Sequence, residues 1–276
     1  SDPNTWDASG FSNFFTSRLF FIGMFLLIVA LFTGIRMKRQ TGRAVELGNP
    51  TAAPLIVGGL LLAFALFTAL RGTIVNNLWW VVTVTCASTA LGLAVAVLAD
   101  NRRGEKFAKS IIFMPMAISL VGAAIIWRFM YAYRGAEFEQ IGLLNQIVVW
   151  FGGEPQQWLI NSPMNTFFLI VVLIWVQTGF AMVVLSAAIK GVPIEQMEAA
   201  ELDGTTAWQR FVNVTIPGIR PTLVVVVTTI SIASLKVFDI VRTMTAGNDN
   251  TSVIANEMYS QLKFFEAGRS AAFAVL

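Results

Sequence analysis

Apolar and polar residues fall in long blocks along this chain. Apolar blocks run over 19–35, 54–70, 78–99, 110–130, 166–189 and 222–238, and another begins at 270. A helix that crosses a bilayer needs about 20 mostly apolar residues. The blocks are of that order, although 54–70 is rich in Gly and Ala and barely long enough. The fourth carries Pro115 near its start and Arg128 near its end. The pattern predicts an all-α, polytopic α-helical membrane protein of about seven spans, the last cut short at Leu276. Segment 1–17 is polar with aromatic punctuation (Trp6, Phe11, Phe14, Phe15), which suits a membrane interface.

Composition narrows the picture. Hydrophobic residues make up 56% and charged residues 13% of 276 positions, more apolar surface than a soluble domain needs. The net charge of +3 is modest and its basic residues sit in short loops beside spans, which argues for topology and against nucleic-acid binding. Cys86 is the single cysteine, so no disulfide forms within the chain, and the absence of histidine excludes His-based triads and His-ligated metals. Ser1 is not an initiator Met, no signal-peptide flank follows it, and the final apolar run stops early; the reading expects a fragment.

Lys and Arg set the orientation. Loops 36–53, 100–109 and 190–221 hold eleven of them, while 1–18, 71–77, 131–165 and 239–269, longer together, hold six. By the positive-inside rule the first set is cytoplasmic and loop 131–165 extracytoplasmic. Ser1 then lies outside.

The interval 190–217, KGVPIEQMEAAELDGTTAWQRFVNVTIP, does not read as a plain loop. Gly191 and Pro193 break the preceding helix, and Pro suits the first turn of a new one. Residues 194–202 form a short amphipathic helix, with Glu195, Glu198 and Glu201 on one side and Ile194 and Met197 on another, beside small Ala199 and Ala200. Gly204 ends it. A second short helix, 205–214, carries Trp208 and Phe211, and Pro217 precedes the next span.

Glu198-Ala199-Ala200, then Gly204, then Val214-x-Ile216-Pro217 resembles the EAA loop of ABC-importer permeases. The resemblance implies the type I ABC importer permease fold in a bacterial inner membrane, with loop 190–220 a cytoplasmic coupling helix docked on an ATPase subunit. It implies four partners: a dimer of ATPase subunits, a second homologous permease, an extracytoplasmic solute-binding protein and the solute itself. It also implies no cofactor on this chain, ATP-Mg being held by the ATPases. If family members keep their N-terminus inside, an odd number of spans precedes Ser1. Ala199 and Ala200 would allow close backbone approach, Glu198 would pair with a basic residue of the partner or with Arg210, Asp203 would cap the second helix, and Gly204 would make the turn.

Asn76-Asn77-Leu78, the FMPMAISLVGAAIIWRFMY stretch, Trp175-x-x-x-Gly179-Phe180 and KVFDIVRTMTAG look like carbohydrate permeases of the maltose type. That likeness runs from Asn76 to the end, and suggests an extra N-terminal segment 1–53 before a permease core of 54–276. The usual Gly-Gly-Pro reads Ala246-Gly247-Asn248 here. The solute would be an oligosaccharide or glycoside, or, alternatively, an amino acid or peptide.

A sugar needs hydroxyl and amide partners and a ring to stack on. Trp175, Gln177, Phe180, Ser231 and Ser234 are the candidates, with Thr178, Ser186, Thr228 and Thr229 near them. Ser and Thr in membrane helices also bond their own backbone, which is the structural alternative for these positions. Lys236 and Asp239 have the spacing of a helical ion pair, and Arg128 suits the interface. No Walker-type loop is present, so energy comes from another subunit. An ion-driven transporter or a membrane enzyme would call for mid-span carboxylates or, for the enzyme, histidine, and neither is present.

Overall fold

The computed structural model describes residues 18–41, 52–69, 72–99, 104–135, 137–264 and 266–275. The aromatic segment 1–17 and the basic residues Arg43, Arg102 and Arg103 lie outside them. Every regular element among the described residues is helical, and the chain divides into two compact units, 1–75 and 76–276.

In the first unit, α1 (Arg18–Thr41) packs on α2 (Ala52–Ala69). Two glycines permit the contact. A Cβ added to Gly58 would lie 3.0 Å from the Gly23 carbonyl oxygen, and one added to Gly23 would lie 2.8 Å from Leu62 Cγ. Small residues serve this purpose in bilayers, where close packing must replace the hydrophobic effect.

The second unit is built on long helices. Among the described residues, three stretches are long and apolar enough to cross a membrane: α3 (Thr73–Ala99), α7 (Met164–Lys190) and the run Ala207–Met244. α7 is central, burying Leu169, Ile170, Val172, Leu173, Met182 and Leu185. It meets α3 at Gly92, where a Cβ would lie 2.5 Å from that of Ala181.

The predicted span 110–130 is not one helix. α4 (Glu105–Phe113) runs into a 3-10 turn (Met114–Ala117), and α5 (Leu120–Met130) leaves at a bend of 103°. Pro115 has no N–H to continue the ladder and crowds the preceding turn. Ile118 and Ser119 are then extended, and Ser119 Oγ accepts the Gly122 N–H at 3.1 Å, capping a fresh helix. The break packs on α7 through Gly179, where a Cβ would lie 2.7 Å from the Ile112 carbonyl oxygen.

Loop 131–165 holds α6 (Leu143–Trp150) and is organised by buried Asn145. Its Nδ2 donates to the carbonyls of Ala132 and Gln156, both at 3.0 Å, and its Oδ1 accepts from the Gln156 N–H and Trp158 Nε1. All four bonds of one buried amide are thus satisfied. Burial also pushes the Tyr131 phenol above its ordinary pKa, and its hydroxyl donates to the Phe168 carbonyl at 3.0 Å.

The helix entered at Ala207 runs as α9 (Ala207–Arg210), a π turn (Phe211–Thr215) and α10 (Ile216–Leu235), so the sixth span has no loop before it. The Ile216 N–H reaches back five residues to the Phe211 carbonyl. This wider turn admits Pro217, whose ring an α-helix would press against the carbonyl four residues back. α10 ends at Lys236, and α11 (Asp239–Met244), α12 (Ile254–Lys263) and α13 (Ala267–Val275) follow. The chain breaks between Lys236 and Asp239, so the expected helical ion pair is not formed.

The two ends of the second unit are distinct. At one, Asn165 Nδ2 donates to the Asp249 carbonyl at 2.7 Å and Asn76 Nδ2 to those of Asn250 at 2.5 Å and Ser252 at 3.1 Å. These bonds lace the turn after α11 to the starts of α3 and α7. At the other end, Lys190 closes α7 against Glu105.

Candidate functional site

The interval after Lys190 forms a compact double turn. α8 (Ile194–Leu202) starts after Pro193 and ends at Gly204. Gly204 has φ +75°, its N–H donates to Glu201 O at 3.0 Å, and the Thr205 N–H donates to Ala200 O at 3.2 Å. This is a Schellman closure, which needs a left-handed residue, and glycine adopts that conformation without penalty. Thr205 Oγ1 adds a second bond to Ala200 O at 2.6 Å.

Thr206, not Asp203, caps α9. The Gln209 N–H donates to Thr206 Oγ1, and the Thr206 N–H donates to Gln209 Oε1 at 2.8 Å. Threonine fits because its hydroxyl reaches the third N–H of the helix while Gln returns the bond. Arg210 pairs with Glu201 at 3.3 Å, not with Glu198. Glu201 sits over the second helix across the turn, whereas Glu198 points outward.

The faces of α8 also sort differently from the sequence expectation. Ala200 and Met197, one turn apart, are half-buried and face this chain. Met197 covers a cavity of about 240 Å³ lined also by Val97, Ile189, Phe211 and Thr215. The exposed residues of α8 include Ile194, Glu195, Gln196, Glu198, Ala199, Glu201 and Leu202, with Trp208 beyond the turn. Leu202 is 89% exposed and Ile194 66%, unfavourable for side chains of that size unless a partner covers them. Gly218 packs at the entry to α8, where a Cβ on it would lie 3.2 Å from Val192 Cγ2, and neighbouring Pro217 is exposed.

Beside this loop is an ion cluster that sequence reasoning missed. Glu105 Oε1 lies 2.6 Å from both Lys109 Nζ and Lys190 Nζ, and Lys109 Nζ donates to Ser186 Oγ at 2.5 Å. It ties the start of α4 to the last turns of α7. Ser186 therefore belongs to this cluster. Glu105 lay inside a run counted only for its positive charge.

The proposed solute-path residues do not form one wall. Trp175 meets Trp127 edge-on with centroids 5.7 Å apart, in a ladder that continues through Tyr131 and Phe168 to Trp158. Phe180 is half-buried against the core, and Ser234, fully buried, donates to the Ile230 carbonyl at 2.8 Å. Thr178 and Thr228 bond their own helix in the same way. Ser231 is the exception: its Oγ lies 3.1 Å from Thr85 Oγ1, joining α10 to α3. Gln177 is half-buried.

On α3 the sequence reading used Asn77 only within a motif and passed over Thr85, Ser88 and Thr89, which with Asn77 form a buried polar stripe. Ser88 Oγ, Thr89 Oγ1 and Asn77 Oδ1 have no hydrogen-bond partner among the described residues. Buried polar atoms seldom stay unpaired, so these three call for a partner such as an ordered water. The stripe's spacing of three, four and eight residues was the available signal.

Residues 88–276 match the family described as binding-protein-dependent transport system inner membrane component. The chain belongs to that family. Among its relatives, an osmoprotective compounds uptake permease protein of Synechocystis sp. is 54% identical over 73% of this chain and 72% of its own. An alpha-glucoside transport system permease protein of Rhizobium meliloti is 52% identical over 75% of this chain and 62% of its own. The chain therefore spans roughly two thirds of the length of these relatives. A bacterial alginate ABC transporter, solved with an alginate pentasaccharide-bound periplasmic protein, has a chain of the same fold, with TM-score 0.65, 22% identity and coverage of 74% and 71%. The all-α permease fold expected from the sequence is thus the observed one.

Proposed function

We propose that this chain is one permease subunit of an ATP-driven importer for an oligosaccharide or glycoside, and that α8 couples it to the ATPase. The observation that carries the coupling role is the Schellman-closed α8 with its unpartnered outer face of Ile194, Glu198, Ala199 and Leu202. A short rigid helix that shows small and apolar residues between charges suits a cleft on another protein. The sugar assignment is supported by the names of the relatives, one for alpha-glucosides.

In this reading loop 190–220 is cytoplasmic, as its side of the lysine and arginine count requires, and loop 131–165 is extracytoplasmic in a bacterial inner membrane. Closure of the ATPases on ATP-Mg moves α8 as a body. The Glu105 cluster then passes that movement to α4 and the bend at Ser119, while Val192 on Gly218 passes it to α10. A second permease would complete the path along the stripe of Thr85, Ser88, Thr89 and Ser231.

The test is reconstitution of this chain with its ATPase, second permease and binding protein in vesicles. The expected result is ATP hydrolysis stimulated by an alpha-glucoside-loaded binding protein, with uptake of labelled sugar. Stimulation by a loaded amino-acid-binding protein, and none by the sugar-loaded one, would overturn the sugar assignment.

A further inference from the structure

At the end of the molecule away from α8, two arginines meet in one cavity that the coupling role leaves unused. Arg128, in the last turn of α5, and Arg242, in the last turn of α11, line an open space of about 360 Å³ with Thr245, Asn248 and Asp249. Arg128 is exposed, and its Nη1 donates to the Thr243 carbonyl at 3.3 Å. Arg242 is half-buried, its guanidinium carbon 4.7 Å from the centroid of the Tyr259 ring. Neither forms an ion pair among the described residues, although Asp249 lines the same cavity.

One carbonyl and one ring orient these groups without using up their donors, since each guanidinium carries five N–H bonds in a planar fork. Two like charges facing one cavity repel, and a carboxylate that enters between them relieves the repulsion while accepting bidentate bonds. The wall is fixed in advance. Ala246, Asp249 and Asn250 hold φ of 57°, 54° and 62°, and the bonds from Asn165 and Asn76 hold that turn in place.

We propose that this cavity receives a carboxylate side chain of the extracytoplasmic solute-binding protein when it docks. The proposal rests on the importer reading. The position favours a docking protein over a transported solute: the arginines stand in the last turns of α5 and α11, the latter at the outer end of the run Ala207–Met244, beside the turn that follows it. Asp249, the one carboxylate among the lining residues, offsets at most one of the two positive charges, and a neutral sugar would add nothing to it.

The experiment uses the assembled transporter in lipid nanodiscs, titrated with the loaded binding protein that stimulates ATP hydrolysis by the wild type. Arg242→Gln and Arg128→Gln should each raise its half-saturating concentration by about tenfold, with the maximal rate within about twofold of wild type. Arg242→Lys should fall between, and the rise of half-saturation with salt should flatten in both Gln variants. The retained maximal rate reports folding, and Arg128 is exposed enough to be replaced without a packing loss. A second arm measures basal hydrolysis with sodium glucuronate and no binding protein, and no response is expected. Unchanged half-saturation and salt dependence in both Gln variants would overturn the proposal. So would stimulation by glucuronate that the Gln variants lose, because the cavity would then be a site for an anionic solute. A wild type that no binding protein stimulates would instead overturn the importer reading itself.

Discussion

The Thr205 N–H donates to the Ala200 carbonyl at 3.2 Å and so closes α8 over Gly204. Everything beyond the turn, including the Glu201–Arg210 pair, depends on that closure. Gly204 stands at φ +75° with open space around it, so a substitution there meets a conformational cost and no steric one. Gly204→Ala should cost about 1 kcal/mol at the turn. Gly204→Pro should be far worse, because Pro fixes φ near −65° and removes the N–H given to Glu201. Vesicles carrying the Pro variant should keep the spans inserted and lose stimulated ATP hydrolysis; normal stimulation would show that α8 need not be rigid.

The two alanines should separate. Ala199 faces out and Ala200 faces this chain. Ala199→Asp should leave α8 folded and release the ATPase on purification, since an unpaired carboxylate in a tight interface costs several kcal/mol. Ala200→Asp should instead disturb the loop, seen as faster proteolysis between α8 and α9. Glu198→Ala should be mild, roughly 1 kcal/mol or less, because the residue is exposed. Equal ATPase retention in wild type and Ala199→Asp would refute docking through this face.

Where hydropathy sets the structure, the sequence was a good guide. The blocks 78–99 and 166–189 became Thr73–Ala99 and Met164–Lys190 within a few residues. Where a local polar bond competes with the ladder, block reading failed. Ser119 caps a new helix inside an apolar run, and averaged hydropathy cannot register one hydroxyl. The Thr206-x-x-Gln209 capping box was legible, yet the acidic Asp203 drew the assignment. Charge counting set aside Glu105 for the same reason: a carboxylate in a basic run lowers a sum without showing that it bridges two lysines.

Trp175, expected to line a solute path, stands in an aromatic ladder with Trp127. Trp175→Ala should therefore cost about 2–4 kcal/mol of stability, from lost area and ring contact. Yield and thermal stability of the purified complex should fall along with transport. Loss of transport at unchanged stability would restore the path role.

Labelling tests the orientation. In a Cys86→Ala background, Gln196→Cys on exposed α8 should react only with a reagent on the cytoplasmic side. Phe151→Cys should react from outside; Phe151 is 89% exposed, whereas neighbouring Gly152 at φ +78° would be strained by any side chain. Reaction of both from one side would reverse the assignment of α8 to the ATPase.

Glu105 gives the sharpest test of how force leaves α8. Its carboxylate holds Lys109 and Lys190 at 2.6 Å each, and the Glu105 and Lys109 side chains are only 19% and 18% exposed. That is too buried for full screening and too wet for a full desolvation penalty, so Glu105→Gln should cost roughly 1–2 kcal/mol. The spans do not rest on this cluster, and the variant should insert, assemble and bind the ATPase normally. What should change is coupling. With α4 tied to the end of α7 only through the Lys109–Ser186 bond and packing, α8 can move while carrying the bend at Ser119 less far, so hydrolysis should continue while sugar uptake per ATP falls several-fold. Glu105→Asp, which keeps the charge on a shorter stem, should recover part of the loss. Uptake per ATP equal to wild type in Glu105→Gln would show that the movement reaches the membrane through Val192 and Gly218 alone.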